Sequence, residues 1–206
     1  MAMSLSLQID GLGFRFDTRP VFEHYTLALE PGITWLRGAN GMGKTTLLKL
    51  MAGALAPHSG TIRLGEIECA ADPLGYRSAS YFCGGDLPDL PWLTVQELLD
   101  LHLALYPGAD GALVEAQLAA FGIRAVLPQL LSTLSLGQHR KVQLALALAL
   151  PVGLLLLDEP FNGLDADAIV YLRAQLAARG EARSACIVLT SHVDPQVPVR
   201  RTIDLD

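Results

Sequence analysis

Two short stretches carry residues whose types and order suit phosphate chemistry. "GANGMGKTT", Gly38 to Thr46, has the GxxxxGK[ST] spacing through Gly38, Gly43, Lys44 and Thr45. A triphosphate must shed water without losing partners for its charge. In a loop running Gly38, Ala39, Asn40, Gly41, Met42, Gly43, glycines let successive backbone N–H groups face that anion, and a helix starting at Lys44, Thr45 and Thr46 adds its positive end. Lys44 is placed to bridge the outer phosphates, and Thr45 to offer its hydroxyl to Mg²⁺. The second stretch, "LLLLDEP", delivers Asp158 and Glu159 at the end of an apolar run. Asp158 suits Mg²⁺, and Glu159 suits orienting or deprotonating an attacking water.

Two further stretches fit the same chemistry. His192 in "LTSH" follows another apolar run and suits a hydrogen bond to a γ-phosphate oxygen or to the attacking water. "TLSLGQHRK", Thr133 to Lys141, combines a serine, a glycine and the start of an amphipathic helix, a second place for an anion. The same residues also read as a plain capping box, Ser135 with Gln138 three positions on.

Elements must hold these groups in place. "SLSLQIDGLGFRF" and "TLALE" alternate as half-buried strands around a turn at "DTRP". "ITWLRG" is a strand feeding the glycine loop, and "KTTLLKLMAGAL" has helical spacing. "SGTIRLGE" reads as a hairpin and "SASYFC" as a strand. Three helical patterns follow: "LTVQELLDLHLALY", "ALVEAQLAAFGI" and the segment after "LSLGQ". "LLLLDEP" and "ACIVLTSH" are core strands separated by the helix "ADAIVYLRAQLAARG", and "RTIDL" is a final strand. Strands flanking a helical insert predict an α/β fold: a mostly parallel sheet, N-terminal antiparallel strands and an inserted α-helical lobe. The expected division is a single domain with its core over about 1–85 and 151–206 and the lobe over about 86–150.

Composition narrows the partners. A net charge of −6 over 206 residues supplies no basic face, which argues against nucleic acid. The opening "MAMSLSLQID" has no basic start or long apolar stretch, so no secretory signal is expected. The apolar run "LALALALPVGLLLL" is shorter than the roughly 18 residues a membrane span needs and is broken at Pro151 and Gly153. It reads as a buried helix ending before the proline, then a buried strand. Cys69, Cys83 and Cys186 lie far apart and read as reduced, buried thiols.

Taken in order, "GANGMGKTT", "LSLGQ", "LLLLDEP", "NGLD" (Asn162 to Asp165) and "TSH" resemble the ATP-binding-cassette (ABC) ATPases: Walker A, signature, Walker B with its glutamate, D-loop and switch histidine. "PHSGTI" is similar to the family's P-x-x-G-x-I stretch. The compact format resembles the short ATP-binding subunits of bacterial exporters, the heme-exporter type included. The resemblance implies ATP and Mg²⁺ as ligands, and a dimer in which each ATP lies between the P-loop of one copy and the signature of the other. Ser135, Gly137 and Gln138 then serve the ATP of a second copy or of a related chain. An isologous pair satisfies both half-sites. It further implies an integral membrane partner, a cytoplasmic position on the inner face of the membrane, and docking near "DLPDLPWLTVQELLDLHLALY". Trp92 there is either a docking residue or part of the lobe core.

The sequence departs from the family at three points. Leu136 stands where the signature has a glycine. The Q-loop glutamine is missing: counted back from Leu93 its place falls on Asp86, a possible Mg²⁺ ligand, and counted forward from Tyr81 it falls on Gly85. The aromatic that stacks on adenine corresponds to Phe16 or to Phe14, with Phe16 the better register. The expected function is the ATP-hydrolysing subunit of an ABC transporter that drives a separate membrane subunit, an exporter by format. The alternative is a non-transport ABC ATPase in a soluble complex.

Overall fold

The computed structural model describes residues 6–85 and 90–205. Two sheets and a set of helices build the chain. β1 (Leu7–Phe16) and β2 (Arg19–Leu29) pair antiparallel around Asp17 and Thr18. With β4 (Ser59–Leu64) and β5 (Ile67–Glu68) they make a four-stranded antiparallel sheet ordered β2-β1-β4-β5. The second sheet is parallel and ordered β6-β7-β8-β3-β9, from β3 (Gly32–Gly38), β6 (Ser80–Cys83), β7 (Leu154–Leu157), β8 (Cys186–Thr190) and β9 (Val199–Leu205).

The unbroken apolar runs of β7 and β8 are explained by burial on both sides. Leu155, Leu157, Ile187 and Leu189 enter one core, while Leu154, Leu156, Cys186 and Val188 enter the other. The first core packs against α3 (Val95–Leu105), α4 (Gly111–Ala120), α5 (Leu136–Ala149) and α6 (Ala166–Ala182). The second packs the antiparallel sheet and α1 (Lys44–Met51) against the opposite face. A strand in the middle of such a sheet has no polar face to show water, so its period-2 signal disappears. Each fully buried leucine contributes on the order of 2 kcal/mol.

The structure adds one helix that the pattern does not announce, α2 (Pro73–Ser78), started by Asp72 accepting from the Gly75 N–H at 2.9 Å. It also starts α5 inside the signature rather than after it, with Ser135 as N-cap and Leu136 as the first helical residue. At its other end α5 stops at Ala149, ahead of Pro151, as the apolar run implied. The carbonyls freed there are taken by Arg179 of α6, whose guanidinium donates to Ala147 and Leu148 at 3.0 and 3.4 Å and to Leu150 and Val152 at 3.0 and 3.3 Å. Among the described residues no helix is long and apolar enough to cross a membrane.

Candidate functional site

Strand order converts distant sequence positions into neighbours. β3, β8 and β7 lie side by side and parallel, so the residues after their carboxyl ends open on one sheet edge, where open α/β sheets hold ligands. After β3 comes the glycine loop. Gly43 sits in the left-handed region at φ 93°, and a Cβ there would strike Val21 Cγ1 at 2.8 Å and Phe22 Cζ at 3.1 Å, so only glycine fits between the loop and β2. Lys44 is buried, and its ammonium donates to the Gly38 and Ala39 carbonyls at 2.7 and 3.0 Å. It thereby stretches across the loop.

After β7 comes Asp158. Thr45 donates to its Oδ2 at 2.6 Å and Thr190, the last residue of β8, to its Oδ1 at 2.7 Å. Thr190 in turn accepts from the Glu159 N–H at 2.8 Å. Thr45, Asp158, Thr190 and the Glu159 backbone thus form one hydrogen-bonded chain from the start of α1 across the ends of β7 and β8. Both hydroxyl donors fix Asp158, and it has no freedom left to turn away. Gly84, just past β6, permits that packing: a Cβ on it would come within 2.4 Å of Asp158 Cβ.

Glu159 itself has φ 47°, a left-handed conformation that costs a non-glycine residue on the order of 1 kcal/mol and clusters at functional sites. The strain swings its carboxylate toward the cleft. Its Oε1 is buried and makes no hydrogen bond, although His192 Nε2 stands 3.4 Å away. His192 follows β8 directly, as expected for a residue at that edge. Asn40, Gly41, Gly43 to Thr46, Gly85, Arg140, Asp158, Glu159 and His192 line one open cleft of about 380 Å³, a volume common for small-molecule sites. Its donors are backbone N–H groups, Lys44 and hydroxyls, and its acceptors are the acid pair: the set a Mg²⁺–triphosphate complex needs. Among the described residues no cluster of three or more His, Cys, Asp or Glu side chains could hold a metal alone. The oxygens of Thr45 and Asp158 are hard ligands that suit Mg²⁺ once phosphate oxygens complete the shell.

The signature lies elsewhere. Ser135 Oγ accepts from the Gln138 N–H at 3.3 Å, and Gln138 Oε1 accepts from the Ser135 N–H at 2.8 Å, a reciprocal capping box. None of Ser135, Gly137 or Gln138 lines the P-loop cleft. Capping does not use up the serine, because a hydroxyl that accepts still has its proton to donate. Leu136 projects outward at 77% exposure. Behind it, Lys141 donates to Asp165 at 2.6 Å, tying the signature helix to the D-loop. The Lys141 hydrogen bond, and after it the Ala168 N–H, hold the Asp165 carboxyl below its ordinary range.

Of the aromatic candidates, Phe14 is buried and Phe16 is 52% exposed, meeting Phe14 edge-on at 4.9 Å between ring centres. Neither lines the P-loop cleft. Trp92 is 65% exposed, while Leu90 and Leu93 beside it pack on the core, so the lobe-core reading of Trp92 does not hold. Asp86 lies outside the described residues. Two residues of the site escaped the sequence reading. Thr190 stands two places before the histidine in the very stretch "LTSH", and Arg140 stands inside "TLSLGQHRK"; neither belongs to a spacing rule that would single it out.

Known proteins are similar to this chain. Residues 22–162 match the family described as "ABC transporter". A "Cytochrome c biogenesis ATP-binding export protein CcmA" from Pseudomonas putida is 39% identical over 192 residues, 92% of this chain and 90% of that protein. A "Zinc import ATP-binding protein ZnuC" from Roseobacter denitrificans is 34% identical over 191 residues, 92% of this chain and 70% of that protein. A solved structure titled "Structure of ATP binding subunit of ABC transporter" superposes with a TM-score of 0.81 at 28% identity, covering 92% of this chain and 80% of that one.

Proposed function

The chain belongs to the ABC transporter family as an ATP-binding, ATP-hydrolysing subunit, and from that premise we propose how its residues divide the work. Lys44 and the N–H groups from Gly38 to Thr46 hold the phosphates of ATP. Thr45 and Asp158 would hold Mg²⁺, which would supply positive charge to the phosphates. Glu159 orients the attacking water and takes its proton as the water oxygen bonds the γ-phosphorus and ADP leaves. His192 donates a hydrogen bond on the same side. Phe16, exposed where Phe14 is buried, stacks on adenine. The observation that carries this reading is Glu159 Oε1: buried, unbonded and held at the cleft by a strained backbone. A buried acceptor without a donor costs about 1–3 kcal/mol, an outlay that a bound water offsets.

The signature turn completes the site of a second copy or of a related chain. Its capped helix end and the free proton of the Ser135 hydroxyl face outward, as a group serving a neighbour's γ-phosphate must. ATP then joins two chains, and its hydrolysis separates them, a motion that drives an integral membrane subunit. Trp92, with Leu101 and Leu105 also exposed on α3, offers that subunit an apolar ledge. On this reading the protein works in the cytoplasm against the inner face of the membrane. The 39% identity to an export protein of cytochrome c biogenesis supports an exporter of that type over an importer.

Glu159→Gln tests the core of the reading. Turnover should fall by about 10²- to 10⁴-fold, the usual worth of a general base. ATP binding should persist, and the variant should elute from size exclusion as a dimer with ATP. A variant that hydrolyses normally, or stays monomeric at saturating ATP, defeats it.

A further inference from the structure

Arg140 sits on α5, one turn beyond Leu136, and its side chain reaches the P-loop cleft that Ser135, Gly137 and Gln138 do not line. Its Nη1 is buried without a hydrogen-bond partner. The contrast with the other cations of the same region is sharp. Lys141, the next residue, is paired with Asp165, and Arg179 spends its donors on four carbonyls. Among the described residues Arg140 faces no carboxylate at ion-pair distance. Its side-chain partner is the Cys83 thiol, a weak acceptor; burial pushes that thiol up to about 11 despite the guanidinium beside it, so it is neutral at physiological pH and cancels no charge.

The acids in the cleft do not supply the missing partner. Both oxygens of Asp158 are engaged by Thr45 and Thr190, and Glu159 Oε1 is itself unbonded. One cleft therefore holds a buried donor and a buried acceptor that do not bond each other. What satisfies both is a guest with acceptor oxygens and an adjacent proton: a terminal phosphate with a water beside it. A guanidinium in that position matches phosphate oxygens with a planar fork of donors.

We propose that Arg140 contacts the terminal phosphate of ATP bound in its own chain, so that the signature helix serves two nucleotides, the partner's through Ser135 and its own through Arg140. The inference rests on the ATP-site assignment above and adds to it a residue that distinguishes ATP from ADP in a single chain. ADP lacks the phosphate that Arg140 would reach.

Calorimetric titration of the purified protein with AMP-PNP and with ADP tests this without turnover. Arg140→Gln should weaken AMP-PNP about tenfold, the worth of one charge-assisted hydrogen bond, and leave ADP within about twofold. Arg140→Lys should weaken AMP-PNP about threefold, since the charge stays but the fork is lost; should the Gln variant fail to fold, the Lys variant is read by the same split. Equal weakening of both nucleotides would make Arg140 a structural residue, and unchanged AMP-PNP affinity would remove it from the site; either overturns the proposal while the ATP site stands. A wild-type chain that binds neither nucleotide overturns the ATP site and this proposal together.

Discussion

At the P-loop, Lys44 reaches back to the Gly38 and Ala39 carbonyls and Thr45 leans on Asp158, whereas at the signature turn Ser135 is tied to Gln138 and His139, three and four residues along its own helix. The first cradle draws partners from β3, β7 and β8 and is fixed by the sheet. The second is a helix end with an exposed leucine on top. Both are the N-terminal ends of helices, but only the first lies inside a cleft lined by its own chain. A cradle finished from within can bind alone; one whose donors face outward has use only for something another molecule brings. On this contrast rests the proposed division between binding by one chain and hydrolysis by two.

The largest expected effect separates those two activities. Ser135→Arg puts a bulky cation where the partner's γ-phosphate would approach, and should reduce hydrolysis by about 10²-fold or more, the size of losing a positioned donor to a developing charge. AMP-PNP binding to the isolated chain should stay within about twofold by titration. A matching loss of binding would mean that the signature turn belongs to its own chain's site, and the contrast between the two cradles would fail. Ser135→Asp, which keeps a capping oxygen but removes the hydroxyl proton, guards against reading lost helix capping as lost catalysis; it should lose hydrolysis as the Arg variant does.

A smaller effect probes how rigid the finished cradle is. Thr190 is fully buried, donates to Asp158 and accepts from the Glu159 N–H. Thr190→Val keeps the shape and removes both bonds, leaving two partly buried polar groups unpaired at about 1–2 kcal/mol each, the lower part of the usual range. Urea unfolding should show a loss of about 2–4 kcal/mol in total, with turnover reduced as well. If stability is unchanged, the chain from Thr45 to Glu159 is not what holds the acid pair. The same deletion at the other cradle, Ser135→Ala, removes only an N-cap and should cost about 1 kcal/mol.

The two cradles also differ in how far the sequence revealed them. Glycine spacing and the apolar run before Asp158 and Glu159 are local signals, and the elements they imply, β3, α1 and β7, lie where the pattern puts them. Thr190 and Arg140 act through strand order and helix placement, contacts that join residues up to 113 positions apart, as Thr45 and Asp158 are. No spacing rule reaches that far. Arg179 is the same case: the apolar run showed where α5 stops, but not that a guanidinium from α6 would satisfy the carbonyls left there. Helix α2 spans six residues with Pro73 and Gly75 among them, too short to show a helical period, and its Asp72 cap is visible only in the structure.

The smallest effect concerns what steadies the unfinished cradle. Lys141 ties α5 to Asp165 at the start of α6, and its hydrogen bond, with that of the Ala168 N–H, depresses the Asp165 carboxyl below its ordinary 3.8. A carboxylate depressed on folding stabilises the folded chain above its unfolded value and loses that contribution as pH falls through the folded one. Lys141→Met should therefore lower the melting temperature by a small, constant amount between about pH 5 and 7, where Asp165 is charged in both states. The gap to wild type should close only below pH 3.8, and moderate salt should narrow it throughout, because the carboxylate is exposed and screened. A gap that closes between pH 5 and 7 instead would mean that the Lys141–Asp165 pair is not what steadies the signature turn.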